Sequence, residues 1–129
     1  MTAPGSTVGA DVGPDAWLTV PEAAERLGVK LTKVHQMVKS GALLAVRRDG
    51  VWRLPEDLVP DLRTPAGQTS NLARHLTGVL TVLTDAGYSP EGALRWLYTP
   101  DETLPEGTPA AALRERPTEV KRRAQALGF

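Results

Sequence analysis

Three glycines constrain residues 17–62 more tightly than any other feature of the chain. Gly28 and Gly41 each follow a short stretch with apolar residues at helical spacing. A glycine just past such a stretch stops the helix, because a residue without Cβ enters the left-handed region without strain. The third, Gly50, follows Asp49 between two β-prone runs. Asp-Gly between alternating apolar residues is a strong signal for a two-residue hairpin. The predicted order is therefore helix, tight turn, helix, hairpin.

Local chemistry fills in this outline. Thr19 and Glu22 make a Thr-x-x-Glu capping box that starts helix one, with Pro21 in the first turn where its missing N–H costs nothing. Ala23, Ala24 and Leu27 give that helix one apolar face, and Val29 is placed to plug the gap to the next helix. Helix two is predicted over 31–40. Val34, Met37 and Val38 lie on one side, and Lys30, Thr32, Lys33, Gln36 and Lys39 on the other. Residues 43–46 and 51–54 are predicted strands, and residues 56–62 a short closing helix. This is the order of a winged helix-turn-helix.

The rest of the chain reads as a tail and a second set of helices. Residues 1–15 are rich in Gly, Pro, Ser and Thr and are predicted to be a disordered tail. The tail is either inert or a kinase target through Thr2, Ser6 or Thr7. Residues 16–63 form the predicted winged helix-turn-helix domain, and 63–70 a linker or turn. Residues 64–129 form a helical region expected to pack on that domain. In it, Leu72, Leu76, Val79, Leu80 and Leu83 make a helical stripe. Ser70 or Asn71 is the expected cap of this helix and Gly87 its stop. Ser89-Pro90-Glu91 opens the next helix, with Leu94 and Leu97 inward and Pro100 at its end. Thr108-Pro109 opens a short Ala-rich helix, and Pro117-Thr118 opens the last, with Val120, Ala124 and Leu127 on one face. The fold class expected is mainly α: a winged helix-turn-helix with a small β-hairpin plus a C-terminal helical region.

Charge points to the partner. The chain is neutral overall. Residues 1–25 hold four acids (Asp11, Asp15, Glu22, Glu25) and no base, residues 26–63 hold eight bases and four acids, and residues 64–129 hold seven of each. Positive charge is focused on the helix-turn-helix, the footprint of a nucleic-acid binder. Without cysteine there is no disulfide frame or thiolate metal site, and no metal or cofactor is expected. No apolar run approaches the roughly 20 residues of a membrane span, and no signal peptide is legible at the N-terminus, so the cytoplasm is the expected location. No His-Glu-x-x-His, Ser-His-Asp cluster or Gly-rich phosphate loop is present, so no catalytic residue is expected. His35 and His75 are the histidines, and His35, on the second helix, is read as packing or touching DNA in preference to acting as a base. Asp101, Glu102 and Glu106 share a loop and read as solvated surface.

Leu18-Thr19-Val20-Pro21-Glu22-Ala23-Ala24, Leu27-Gly28-Val29, Val34, Ser40-Gly41-Ala42-Leu43, and Trp52-Arg53-Leu54 before Glu56-Asp57-Leu58 resemble the winged helices of excisionases and MerR-like proteins. Lys30 departs from that pattern, which has a Ser or Thr cap there, and Leu31 replaces a polar residue. MerR-type dimers use a long coiled coil; no helix of that length is legible, so a monomer is expected. Arg95-Trp96-Leu97, Thr99-Pro100, Thr108-Pro109 and Leu113 resemble the C-terminal region of Xre/MbcA/ParS-type antitoxins, which implies a protein partner such as a toxin. Taken whole, with Ala3 to Thr7 and Arg122 to Ala126, the chain resembles a small actinobacterial family of DNA-binding proteins. One mycobacterial member is a substrate of a serine/threonine kinase. That resemblance implies double-stranded DNA as partner, a role in transcription, and a kinase acting on the tail, with Thr7 first and Ser6 second.

Helix two is expected in the major groove. Thr32, Lys33 and Gln36 face base edges, Gln suiting adenine and Lys guanine. Lys30, Lys39, Arg47 and Arg48 face phosphates. Arg53 has two readings, a phosphate contact or a salt bridge to Glu56 or Asp57. The competing reading makes the lysines a solvated helix face and Arg47 and Arg48 hairpin solubilisers. Trp52 is read as core in preference to base-stacking, and Trp96 as core or partner surface in preference to a ligand site. Lys121, Arg122 and Arg123 are read as charges favoured at a helix end or as a second phosphate contact.

Overall fold

The computed structural model describes the backbone of residues 13–61 and 66–127, and the side chains of 13–61 and 72–127. Expectations for the tail, including Thr2, Ser6 and Thr7, and for residues 62–65 lie outside these residues. The described residues form β1 (Trp17–Thr19), α1 (Val20–Leu27), α2 (Leu31–Lys39), β2 (Val46–Arg48) and β3 (Val51–Pro55), then a 3-10 turn at Glu56–Leu58. There follow α3 (Ala66–Asp85), α4 (Pro90–Tyr98), α5 (Pro109–Ala112) and α6 (Pro117–Ala126).

The capping box at the start of α1 is formed as predicted. The Thr19 backbone N–H donates to Glu22 Oε1 at 2.8 Å, and the Glu22 N–H donates to Thr19 Oγ1 at 3.3 Å. The bond from the Thr19 N–H first, then the Thr19 side chain, hold the Glu22 carboxyl below the usual carboxylate range. Gly28 ends the helix in the left-handed region at φ 70°. Thr19→Ala is expected to destabilise the fold by about 1 kcal/mol, within the ~0.5–2 kcal/mol spread of lost N-caps; urea unfolding with an unchanged slope checks this.

The hairpin turn is also as predicted. Asp49 and Gly50 both have positive φ, 56° and 78°, as a type I′ turn requires. Arg47 pairs with Trp52 and Arg48 with Val51. The sheet has an additional strand, however. Its order is β1-β3-β2, all antiparallel, with Trp17, Leu18 and Thr19 opposite Pro55, Leu54 and Arg53. Of the run predicted over 43–46, only Val46 joins the sheet; Leu43, Leu44 and Ala45 are buried irregular chain leading from α2.

Other boundaries move for identifiable reasons. The closing helix over 56–62 is only a 3-10 turn, with Val59 extended at φ −102° and ψ 116°. Val59 precedes Pro60, and proline pushes its predecessor out of the helical region. Helix α3 begins at Ala66, so Ser70 and Asn71 lie inside it and do not cap it. Its other end is as predicted: Gly87 takes φ 94°, and the Tyr88 N–H donates to the Leu83 carbonyl at 3.0 Å. Leu127 stands beyond the end of α6 and is 38 % exposed, while Val120 and Ala124 are buried.

The sheet separates two apolar cores. Cross-strand partners share a face and neighbours alternate. Leu18 and Leu54 therefore face α1 and α2 and join Ala23, Ala24, Val34 and Leu43. Val46 faces the other way and joins Leu58, Leu76, Leu97, Leu113 and Val120. The stripe from Leu72 to Leu83 is buried in this second core. Asp57 ties the two parts together. Its carboxylate accepts from the Tyr98 hydroxyl at 2.5 Å, and its carbonyl accepts from Arg114 Nη2 at 3.0 Å. Burial first, then the bond to Asp57, keeps the Tyr98 hydroxyl protonated well above the ordinary phenol range.

Candidate nucleic-acid interface

Helix α2 turns one face inward and the other to solvent. Val34 is fully buried, Met37 and Val38 are half-buried, and Thr32, Lys33, His35, Gln36 and Lys39 are exposed. At 3.6 residues per turn, Thr32, Gln36 and Lys39 occupy the centre of the outer side, opposite Val34. Lys33 falls on one flank and His35 on the other. Lys30 stands exposed before the first turn and makes no side-chain cap. Leu31, the second departure from the family pattern, is 48 % exposed at the start of the same helix.

The wing presents its two consecutive arginines on opposite faces. The Arg47 guanidinium lies 5.1 Å from the centre of the Trp52 ring, and the Arg48 guanidinium 4.8 Å from that of Trp17. Such cation–π stacks hold a long side chain in place while leaving its charge on the surface. Trp52 belongs to the core on the α1–α2 side, as its core reading required, whereas Trp17 packs on the C-terminal core. Arg47 thus shares the side of α2, and Arg48 sits behind the sheet. Arg53 is half-buried beside Thr19 on that rear face, where its charge reaches Glu22.

Between α2 and the wing lies a groove of about 430 Å³. Its lining is Val20, His35, Val38, Lys39, Ala45 and Trp52. His35, read from the sequence as packing or touching DNA, is exposed and lines this groove.

Several charges of the C-terminal half are engaged within that half. Arg123 bonds Asp101 at 2.8 Å, Thr103 at 2.7 Å and Glu119 at 2.9 Å, and Arg116 pairs with Glu106 at 3.1 Å. The loop acids Asp101 and Glu106 are therefore anchors for this loop, beyond the solvated surface predicted for them. The Thr103 hydroxyl and N–H, then Arg123, hold the Asp101 carboxyl below the usual range. Desolvation first, then Arg74 and Lys121, depress the His75 imidazole. In the segment from Gly92 to Leu113, Leu97 and Leu113 are fully buried and Trp96 packs partly on the core. Among the described residues no cluster of potential metal ligands occurs, and no helix is long and apolar enough to cross a membrane.

Comparison with known proteins agrees with this geometry. Residues 8–59 match the family described as "DNA-binding protein Rv2175c, wHTH domain", and residues 73–128 match "Rv2175c C-terminal domain of unknown function". The chain is 38% identical over 122 residues to the DNA-binding protein Rv2175c of Mycobacterium tuberculosis, covering 85% of this chain and 79% of that protein. It is 41% identical over 44 residues to an excisionase of Streptomyces ambofaciens, covering 34% of this chain and 71% of the excisionase. The NMR structure of Rv2175c superposes with a TM-score of 0.73 at 32% identity, covering 100% of this chain and 99% of that one.

Proposed function

The chain belongs to the Rv2175c family of winged helix-turn-helix proteins, and on that premise we propose that it binds double-stranded DNA as a regulator of transcription, with α2 as the reading helix. The observation that carries this reading is the division of α2. Its apolar side is closed by the core, and its outer side offers two lysines and Gln36 beside a cationic wing. Thr32, Lys33 and Gln36 face the base edges of the major groove. Lys30, Lys39 and Arg47 face phosphates on either side. No chemical step is part of this function.

Binding should be electrostatic in its main component. With about four to six phosphate contacts, log K against log salt is expected to fall with a slope of roughly −4 to −5. Titration of labelled duplexes across a salt series measures it. A slope near zero on duplex DNA refutes the reading.

The proposal extends to control by phosphorylation of Thr7. Thr7 lies ten positions before Trp17, and ten residues of irregular chain span about 16–19 Å. A phosphate there adds roughly −1.5 to −2 charges within reach of the lysines of α2 and the wing, where it competes with DNA. Enzymatically phosphorylated protein is expected to bind DNA more weakly than unmodified protein, by a margin that shrinks as salt rises. Equal affinity at low salt excludes the tail as an electrostatic switch.

A further inference from the structure

Resting on the DNA-binding reading, we propose that Leu31 reads a base: its open side chain packs on the 5-methyl group of a thymine, so that the site this protein selects carries a thymine at the first turn of α2. Leu31 is 48 % exposed, more than any other large apolar side chain among the described residues. It is the first residue of α2, and Lys30 before it makes no side-chain cap. Each residue turns a helix by about 100°, which puts Leu31 about 20° from Val38 and about 40° from His35, on one flank. Val38, two turns on, is half-buried and lines the groove with Ala45 and Trp52. Leu31 stands beyond that groove, so the apolar flank runs out into solvent at the first turn.

The open half of the side chain buries no surface within the fold. Lysine, glutamine and arginine have nearly the helix propensity of leucine, and an acid here would suit the helix dipole better. In helix-turn-helix proteins the first turn of the reading helix comes nearest the base edges. There an apolar side chain finds one kind of apolar group, the thymine methyl; the rest of the major-groove edge is hydrogen-bond donors and acceptors. Against those, leucine would displace water and return no hydrogen bond. It therefore favours thymine and rejects the other bases at its position. Lys30, Thr32 and Lys33 around it are exposed. A second copy of this chain docked on Leu31 would set its own two lysines against this pair, so like charge opposes that occupant.

The test uses the full-length protein and a site selected from random duplexes. Each thymine of that site is replaced in turn by deoxyuridine, which removes the 5-methyl group and keeps every hydrogen-bonding edge. For the wild-type protein, replacement at one position should lower affinity about fourfold, the worth of one buried methyl group. Leu31→Ala should bind the thymine and uracil forms of that position alike, and Leu31→Met should keep the difference. Thr32→Ser, which removes the neighbouring side-chain methyl, should keep it too. The salt slope should be the same in all three variants, because no charge has changed. Should Leu31→Ala unfold, Leu31→Gln takes its place with the same expectation, since glutamine keeps the helix propensity and presents an amide to the methyl. A site with no uracil-sensitive thymine, a penalty that survives Leu31→Ala, or one abolished by Thr32→Ser overturns the assignment, as does a steep salt slope with no selectable site. A flat wild-type slope is a separate result and removes the DNA-binding reading itself.

Discussion

Replacing Lys30, Lys39 and Arg47 together by alanine is expected to lower affinity for any duplex about a hundredfold at near-physiological salt and to bring the salt slope to about −2. Each phosphate contact carries roughly −0.9 in that slope and a matching share of the sequence-independent free energy. The three residues come from the start of α2, its end, and the wing, and all are exposed, so their removal leaves both cores intact. The loss should be uniform across sequences, because phosphate contacts position the protein and do not read bases. Measured affinities for a selected site and for random DNA should fall by the same factor. A loss confined to the selected site would move these residues to base readout and dismantle the assignment given to Thr32, Lys33 and Gln36.

Leu54→Ala is expected to cost about 2–5 kcal/mol and to lower the melting temperature by about 7–18 °C for a chain of this length. Leu54 is fully buried in the middle strand of the sheet. It lies opposite Leu18 and shares a core with Ala23, Ala24 and Val34. Those small neighbours have little side chain with which to fill the void, so the cavity persists and its cost adds to the lost burial. Calorimetry of the variant checks the value. A loss under about 1 kcal/mol would mean that this core collapses around the gap and that the sheet is less firmly set than its register implies.

What was legible in the sequence was local. The Thr19–Glu22 box, Gly28, the Asp49-Gly50 turn and the leucine stripe from Leu72 to Leu83 each declare themselves within a few residues, and each is present in the structure. Strand β1 was not legible, because three residues are too few to show an alternation. The start of α3 was misplaced because Ser70 and Asn71 carry the chemistry of caps, yet a helix already under way tolerates them. The Arg123–Asp101 pair joins residues 22 apart in sequence, beyond any helical spacing. Of the candidate interface, the outer face of α2 follows from periodicity alone. The unlike settings of Arg47 and Arg48 follow only once the register of the wing is known, since the same two residues one position later would exchange faces.

Residues Val46 and Arg47 are consecutive in β2, the first embedded in the core of the C-terminal helices and the second stacked on Trp52 on the opposite face. A strand has no slack between neighbours, so the wing is a lever with a fulcrum one residue wide. A shift of the C-terminal helices that moves Val46 therefore moves Arg47 with it. The packing of the C-terminal helices thereby sets where the wing stands.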